Sequence, residues 1–74
     1  MNIIVFGSTG TIGKHVLRQA LEQRHQVFAF CRSREKLDDI SHPNLKAVIG
    51  DVMHPQEVER AVKGMDTVII SLGS

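Results

Sequence analysis

Four short apolar runs alternate with more polar segments along the chain. The runs cover residues 2–6, 26–31, 45–49 and 66–72 and are rich in valine, isoleucine and phenylalanine. Apolar runs of this length are typical of strands that are buried on both faces of a sheet. The sequence therefore predicts four β-strands.

Helices are predicted between these strands. In residues 11–23 the apolar side chains recur at a spacing of four, which places them on one face of a helix. That stripe consists of Ile12, Val16, Leu17, Ala20 and Leu21. Ser33 is placed to cap a short helix over residues 34–39, and a last helix begins with Pro55 and ends near Gly64. The apolar stripe of the last helix consists of Val58, Ala61, Val62 and Met65.

The order of elements is strand and helix in turn, closed by the fourth strand. Such alternation with short connections predicts an α/β domain whose parallel sheet is covered by helices. Right-handed crossovers would place the four strands in the order 3-2-1-4. No repeat or linker divides the chain, so we expect one structural unit.

Composition narrows the classes of protein that fit. The chain has 74 residues, of which 42% are hydrophobic and 23% are charged, as in globular proteins. Its apolar runs are far shorter than the roughly 20 residues of a membrane span, and no basic segment of a signal peptide precedes them. The single cysteine excludes an internal disulfide, and a net charge of +1 gives no reason to expect nucleic acid. We therefore expect a cytoplasmic protein with no membrane or nucleic-acid partner.

Three glycines lie between the first predicted strand and the first predicted helix. Gly7 can make the tight turn out of the strand, Gly10 can let a pyrophosphate approach bare backbone, and Gly13 can let the helix pack closely on the sheet. The N–H groups of the first helical turn and the positive end of the helix dipole would face the phosphates. The expected contact positions between these glycines are Ser8, Thr9, Thr11 and Ile12.

This glycine spacing resembles the fingerprint of the short-chain dehydrogenase/reductase superfamily in its extended and atypical members. Residues 3–13 are similar to the atypical group that contains NmrA-like regulators and biliverdin reductase B-like reductases. The similarity continues in Phe30-Cys31-Arg32-Ser33, Gly50-Asp51-Val52 and Ser71-Leu72-Gly73, so it covers the whole chain. It implies a Rossmann-type three-layer α/β/α half that binds NAD(P).

The residues after the second strand bear on the choice between NADP and NAD. NAD-binding domains place a carboxylate there for the ribose 2′-hydroxyl, whereas this chain has Arg32. A guanidinium can hold a 2′-phosphate through two parallel hydrogen bonds. We expect NADP, with NAD as the alternative, and we expect Arg32, Ser33 and Arg34 to contact it. An exposed helix face is the other explanation for Arg34.

Residues after the third and fourth strands complete the predicted site. Asp51 and Val52 occupy the place where members of the superfamily commonly line the adenine. Asp51 either accepts a hydrogen bond from the adenine amine or serves only as a turn residue. The segment Ser71-Leu72-Gly73 ends the fourth strand beside the glycine loop, where we expect it to contact the cofactor.

The histidines, the cysteine and two of the methionines need no functional site to explain their positions. The histidines at 15, 25, 42 and 54 show no metal-ligand spacing, so we predict no metal site. Cys31 is expected to be a small buried residue, and Met53 and Met65 are expected to fill the core.

The resemblance implies that residues 1–74 are the N-terminal part of a single NAD(P)-binding Rossmann domain. Reductases of the superfamily usually carry a Tyr-x-x-x-Lys pair on and beyond a fifth strand, and this chain contains no tyrosine. We therefore assign no catalytic residue and expect a parent protein of roughly 200 residues or more. That parent is an NAD(P)H-dependent reductase or epimerase, or an NmrA-like redox-sensing regulator without catalysis. A third interpretation gives the chain a role in assembly alone.

The fourth strand is predicted to lie at an edge of the sheet. Its outer backbone groups would lack a partner strand, and Val68, Ile69 and Ile70 carry no charge or proline that would oppose pairing. Part of one sheet face would also lack a covering helix. We therefore expect self-association through the exposed fourth strand or sheet face, in a two-fold dimer or a larger assembly.

The glycine loop provides the first test. Replacing Gly10 by valine should abolish dinucleotide binding and leave the fold largely intact, because the new side chain would occupy the space of the pyrophosphate. Calorimetric titration with NADPH measures the effect, and circular dichroism checks the fold. Unchanged NADPH affinity in the folded variant would contradict the assignment.

Overall fold

A computed structural model describes residues 1–7, 11–37 and 40–71, and it confirms the predicted order of elements. The strands are β1 (Asn2–Phe6), β2 (Gln26–Cys31), β3 (Leu45–Ile49) and β4 (Thr67–Ile70). The α-helices are α1 (Thr11–Glu22) and α2 (Pro55–Val62), and a 3₁₀ helix, η1 (Arg34–Leu37), follows β2. The strand β4 is shorter than the predicted run of residues 66–72, and η1 takes the place of the predicted helix over residues 34–39.

All four strands are parallel and lie in the predicted order β3-β2-β1-β4. Phe6 of β1 is level with Phe30 of β2 and with Ile70 of β4, and Phe30 is level with Val48 of β3. The strands therefore end at nearly the same height. The polypeptide segments that leave them meet at one edge of the sheet.

One face of the sheet packs against α1. Val5 of β1, Val27 of β2 and Leu17 of α1 are fully buried there, and Leu37 of η1 joins the same cluster. Cys31 is also part of it, as predicted. Because successive strand residues point to opposite faces, the alternate residues of β1 and β2 remain for the second face. The central strands are therefore apolar on both sides.

The second face packs against α2. Ile4, Phe6, Phe30 and Ala61 form its buried centre, and the rings of Phe6 and Phe30 meet edge to face with centroids 4.7 Å apart. The predicted α2 stripe is confirmed, since Val58, Val62 and Met65 pack partly buried beside Ala61. Helices on both faces give the predicted three layers.

Two predictions about the core are wrong. Ile12, assigned to the α1 stripe, is 55% exposed because it lies in the first turn of the helix, at the edge where β1 ends. Met53, assigned to the core, is 73% exposed because it lies in the turn between β3 and α2. Gly13 is buried, as close packing of α1 requires.

The strand β4 is at the edge of the sheet, as predicted. Val68 is level with Ile4 and Ile70 with Phe6, so both project from the face that α2 covers. The two side chains are nevertheless 44% and 65% exposed. The α2 layer therefore stops short of β4. In the described part of the chain, neither helix is long and apolar enough to cross a membrane.

The burial pattern of α1 predicts contrasting effects of two truncations. Leu17→Ala should lower the free energy of unfolding by about 2–5 kcal/mol, because it leaves a cavity between α1 and the sheet. Ile12→Ala, at an exposed position of the same helix, should change it by less than about 0.5 kcal/mol. Denaturant unfolding monitored by circular dichroism compares them. Equal losses would show that α1 does not dock through Leu17.

Candidate functional site

Most of the predicted site residues that the structure describes lie at one edge of the sheet, where the carboxyl ends of the four strands meet. Gly7 follows β1, Arg32 follows β2, Asp51 follows β3 after one residue, and Ser71 follows β4. Ligands of open parallel sheets bind at this edge, where loops diverge from the strand ends. The predicted positions Ser8, Thr9, Gly10, Leu72 and Gly73 lie outside the described residues.

Gly7 lies directly against the end of β4. Its φ of +76° is a backbone conformation that favours glycine, and a Cβ at this position would overlap the carbonyl oxygen of Ser71. The N–H of Ser71 donates to the carbonyl of Phe6 at 2.9 Å, which fixes the two strand ends together. Two independent constraints therefore require glycine at position 7.

Ser71 has an unsatisfied hydroxyl beside this turn. Its Oγ is buried and has no hydrogen-bond partner in the described part of the protein. A buried polar atom without a partner carries a desolvation penalty, which a polar ligand atom would remove. The Ser71 hydroxyl and the missing Cβ of Gly7 both fit a polar ligand bound at this edge.

The helix α1 begins at the same edge. Its first residue is Thr11, and its first-turn N–H groups have no acceptor within the helix. The helix carries no acidic residue in that turn, so the positive end of its dipole is not neutralised there. Together with the exposed Ile12, this end of α1 is open to an anionic ligand.

The structure pairs two residues that the sequence assigned to different parts of the cofactor. Nη2 of Arg32 lies 3.7 Å from Oδ1 of Asp51, with the Arg32 side chain 69% exposed and the Asp51 side chain 35% exposed. The two groups form an ion pair, and the distance between the nitrogen and the oxygen exceeds that of a hydrogen bond. Most of the guanidinium remains accessible from solvent.

Asp51 forms a turn at the end of β3. Its Oδ1 accepts a hydrogen bond from the backbone N–H of Met53 at 2.9 Å, and its carbonyl accepts one from the N–H of His54 at 3.0 Å. The first bond is the local side-chain-to-backbone bond that favours aspartate in turns. The predicted turn role of Asp51 is therefore present in the structure. The other carboxylate oxygen of Asp51, Oδ2, takes no part in this turn bond.

Glu57 is a residue that the sequence analysis missed. Its Oε2 accepts a hydrogen bond from the N–H of Asp51 at 3.4 Å and lies 3.0 Å from Nδ1 of His54. The available signal was its position in the first turn of a helix that begins with proline, where a glutamate can reach back to preceding N–H groups. Glu57 thus ties the start of α2 to the Asp51 turn.

Gly50 lets this turn pack closely on the second sheet face. A Cβ at Gly50 would lie 2.8 Å from Cζ of Phe30 and 3.7 Å from Cβ of Glu57. The N–H of Gly50 donates to the carbonyl of Cys31 at 2.9 Å, so the ladder between β2 and β3 continues to this point. The position of Asp51 relative to Arg32 is therefore set by packing.

Exposed apolar side chains surround Asp51. Ile49 is 53% exposed, Val52 is 57% exposed, and Met53 adds a third such side chain. Contiguous apolar surface often marks a place where a ligand or partner binds, which makes these residues candidates for such a contact. The site thus combines charged groups with an apolar rim.

The remaining predicted residues lie beside this edge. Arg34 is exposed at the start of η1 and lines a groove of about 580 Å³ that runs along β3 past His42 and Lys46. Ser33 is partly exposed between Arg32 and η1. Within the described residues, no group of histidine, cysteine, aspartate or glutamate side chains is arranged to hold a metal ion.

Comparisons with known proteins agree with this geometry. A family profile described as NAD(P)H-binding matches residues 7–74. The chain is 33% identical over 93% of its length to photosystem II assembly factor Ycf39 of Synechocystis sp., and 35% identical over 89% of its length to a 3-beta-hydroxysteroid dehydrogenase of Mycolicibacterium neoaurum. The oxidoreductase ylbE of Lactococcus lactis is 36% identical and superposes over the whole chain with a TM-score of 0.87.

The chain spans only part of each of these proteins. It covers 21% of the assembly factor, 18% of the dehydrogenase and 33% of the oxidoreductase. The matched residues 7–74 include the glycine loop and the carboxyl ends of β2, β3 and β4. The predicted resemblance to an NAD(P)-binding Rossmann-type domain is confirmed. The chain belongs to the NAD(P)H-binding family.

Proposed function

We propose that this chain binds NADP as the cofactor-binding part of an NAD(P)H-dependent reductase or epimerase-like protein. The observation that carries the proposal is the exposed guanidinium of Arg32 at the carboxyl end of β2, where NAD-specific domains have a carboxylate. Residues 1–74 act in this proposal as the N-terminal part of a single Rossmann domain. We also propose a cytoplasmic location, a reducing compartment in which the buried Cys31 stays reduced.

The pyrophosphate is held between the glycine loop and the start of α1. Gly7 turns the chain, Gly10 offers bare backbone, and the N–H groups from Thr11 to Gly13 face the phosphates. Ser8 and Thr9 contribute hydroxyl or backbone contacts. On the other side, the Ser71 hydroxyl donates to the cofactor. Leu72 and Gly73 are proposed as further cofactor contacts.

The adenosine half lies over the ends of β2 and β3. Arg32 pairs with the 2′-phosphate, with Ser33 and Arg34 beside it, because a guanidinium binds phosphate through parallel hydrogen bonds. The adenine ring lies on the apolar rim that Val52 helps to form. Asp51 borders this surface as the turn residue whose Oδ1 accepts from the N–H of Met53.

Hydride transfer is the chemistry that the bound nicotinamide supplies. The residues of this chain bind and orient the cofactor, and none of them is assigned a catalytic role. Since the chain covers about a fifth of the similar dehydrogenase, substrate contacts are assigned to other parts of a longer protein.

A redox-sensing regulator of the NmrA type is the second candidate. The observation that favours it is the similarity to Ycf39, which is described as an assembly factor. Both candidates bind the dinucleotide, and they differ in turnover. Steady NADPH oxidation by the purified protein with a carbonyl substrate supports the reductase. Tight NADPH binding without turnover across a panel of carbonyl compounds supports the regulator.

Cofactor choice is tested at Arg32. Arg32→Ala should weaken NADPH binding by about 1.5–3 kcal/mol, the contribution of a hydrogen bond to a charged group, and should hardly affect NADH. Arg60→Ala removes the same charge from an exposed position on α2 and serves as the control. Calorimetric titration of the unaltered protein and of both variants with NADPH and with NADH gives the six dissociation constants. Equal losses for NADPH and NADH would show that Arg32 supports the fold or the adenine instead.

We also propose that two copies associate through β4. Val68 and Ile70 are exposed on the α2 side of the sheet, next to an edge whose outer backbone groups can pair with another strand. A two-fold axis needs only one self-complementary surface, so antiparallel pairing of two β4 strands is the simplest arrangement.

Self-association is tested by placing charge on that surface. Ile70→Lys should shift the protein to monomer, because it would place two like charges in the interface between the paired strands. Met53→Lys adds the same charge at an exposed apolar position away from β4. Light scattering over a concentration series measures the mass. A monomeric unaltered protein at every concentration would refute the dimer.

A further inference from the structure

The contact between Arg32 and Asp51 suggests a role in cofactor selectivity, and this inference rests on the proposed binding of NADP at Arg32. We propose that Asp51 is a specificity-determining residue whose carboxylate opposes the 2′-phosphate and limits the preference for NADPH over NADH. Arg32 attracts the phosphate, and Asp51 lies on the same guanidinium at 3.7 Å. Any phosphate bound to Arg32 is therefore close to a fixed negative charge.

The carboxylate of Asp51 holds its position without help from Arg32. Oδ1 accepts from the N–H of Met53 at 2.9 Å, and the backbone on either side is bonded to His54 and Glu57. Gly50 packs this turn against the ring of Phe30. Asp51 cannot swing away from an arriving phosphate without breaking the turn. The repulsion is therefore built into the binding edge.

The neighbouring charges add to this effect. Glu57 presents a second carboxylate, whose Oε2 lies 3.4 Å from the N–H of Asp51. Nδ1 of His54 lies 3.0 Å from the same Oε2, and the His54 imidazole offsets the Glu57 charge only when it is protonated. A phosphate monoester carries a charge of about −1.5 to −2 at neutral pH. Binding it at Arg32 places this charge next to the Asp51 turn, to which Glu57 is bonded.

Asp51 also attracts Arg32, which would favour NADPH if it ordered the guanidinium for binding. Two observations make this contribution small. The separation of 3.7 Å exceeds hydrogen-bond distance, and the Arg32 side chain is 69% exposed. Exposed ion pairs of this kind hold their side chains only weakly. Repulsion of the phosphate therefore outweighs orientation of Arg32.

NADH responds differently because it has a hydroxyl in place of the phosphate. A neutral hydroxyl is not repelled by a carboxylate and can donate a hydrogen bond to it. Removing the charge of Asp51 should therefore strengthen NADPH binding and leave NADH binding unchanged or slightly weaker. A purely structural role for Asp51 would change both affinities in the same direction.

Asp51→Asn is the decisive variant, because the amide oxygen can still accept from the N–H of Met53 and keep the turn. Glu22→Gln removes the same charge at the far end of α1, near the amino ends of the strands, and serves as the control. Calorimetric titration of the purified protein with NADPH and with NADH gives the affinities at low and at high salt. Circular dichroism and thermal melts confirm that each variant is folded.

We expect Asp51→Asn to bind NADPH about fivefold more tightly at low salt, from the Coulomb repulsion of exposed charges a few ångströms apart. NADH affinity should stay within about twofold, and the NADPH gain should shrink as salt screens the charges. Glu22→Gln should change neither affinity. If Asp51→Asn is misfolded, Asp51→Ser provides a second neutral side chain that can accept in the turn.

Four results would overturn the proposal. Weaker NADPH binding in Asp51→Asn would mean that Asp51 positions Arg32 for the phosphate. Equal gains for NADPH and NADH would mean that its charge does not act on the 2′ position. Binding of neither dinucleotide by the unaltered protein would refute the proposed function as well. If the unaltered protein binds NADPH tightly and Asp51→Asn has no effect, this inference is wrong and the proposed function stands.

Discussion

The parallel register of β1 with its neighbours is the constraint on which the rest of the structure depends. Phe6 is level with Phe30 on one side and with Ile70 on the other, so the strands end together. The same register brings the rings of Phe6 and Phe30 into contact beneath that edge. Packing under the strand ends and placement of the site above them are therefore consequences of one alignment.

At two glycines the backbone lies very close to neighbouring residues, and these contacts shape the edge of the sheet at which the strands end. Gly7 meets the end of β4, and Gly50 meets the ring of Phe30, with no room at either position for a Cβ. The first contact joins the glycine loop to Ser71, and the second fixes the turn that contains Asp51. A side chain at either glycine would displace a site residue as well as reduce stability, since interiors are closely packed.

Charge at the edge is balanced between opposing groups. In the proposed site, the start of α1 and the guanidinium of Arg32 would attract a phosphate, whereas Asp51 and Glu57 would repel it. The attractive groups are exposed or lie at a helix end, and the two carboxylates are bonded into a backbone turn. Under the proposed function, selectivity between the two dinucleotides depends on which charges a 2′-phosphate meets, because NADP and NAD differ only there.

Sequence alone determined the layers and the strand order, and it indicated the edge of the sheet on which the candidate site lies. Apolar runs define strands that are buried on both faces, and the helical periodicity of α1 and α2 covers them, so these features are local and readable. The glycines and Arg32 were recognised because their positions relative to predicted strands carry the physical meaning. Only the tertiary structure decided that Arg32 and Asp51 form a pair, that Glu57 joins them and that Ile12 and Met53 are exposed. Those facts depend on the distance between residues from separate strands and on where a helix ends relative to a sheet, and periodicity along the chain contains neither quantity.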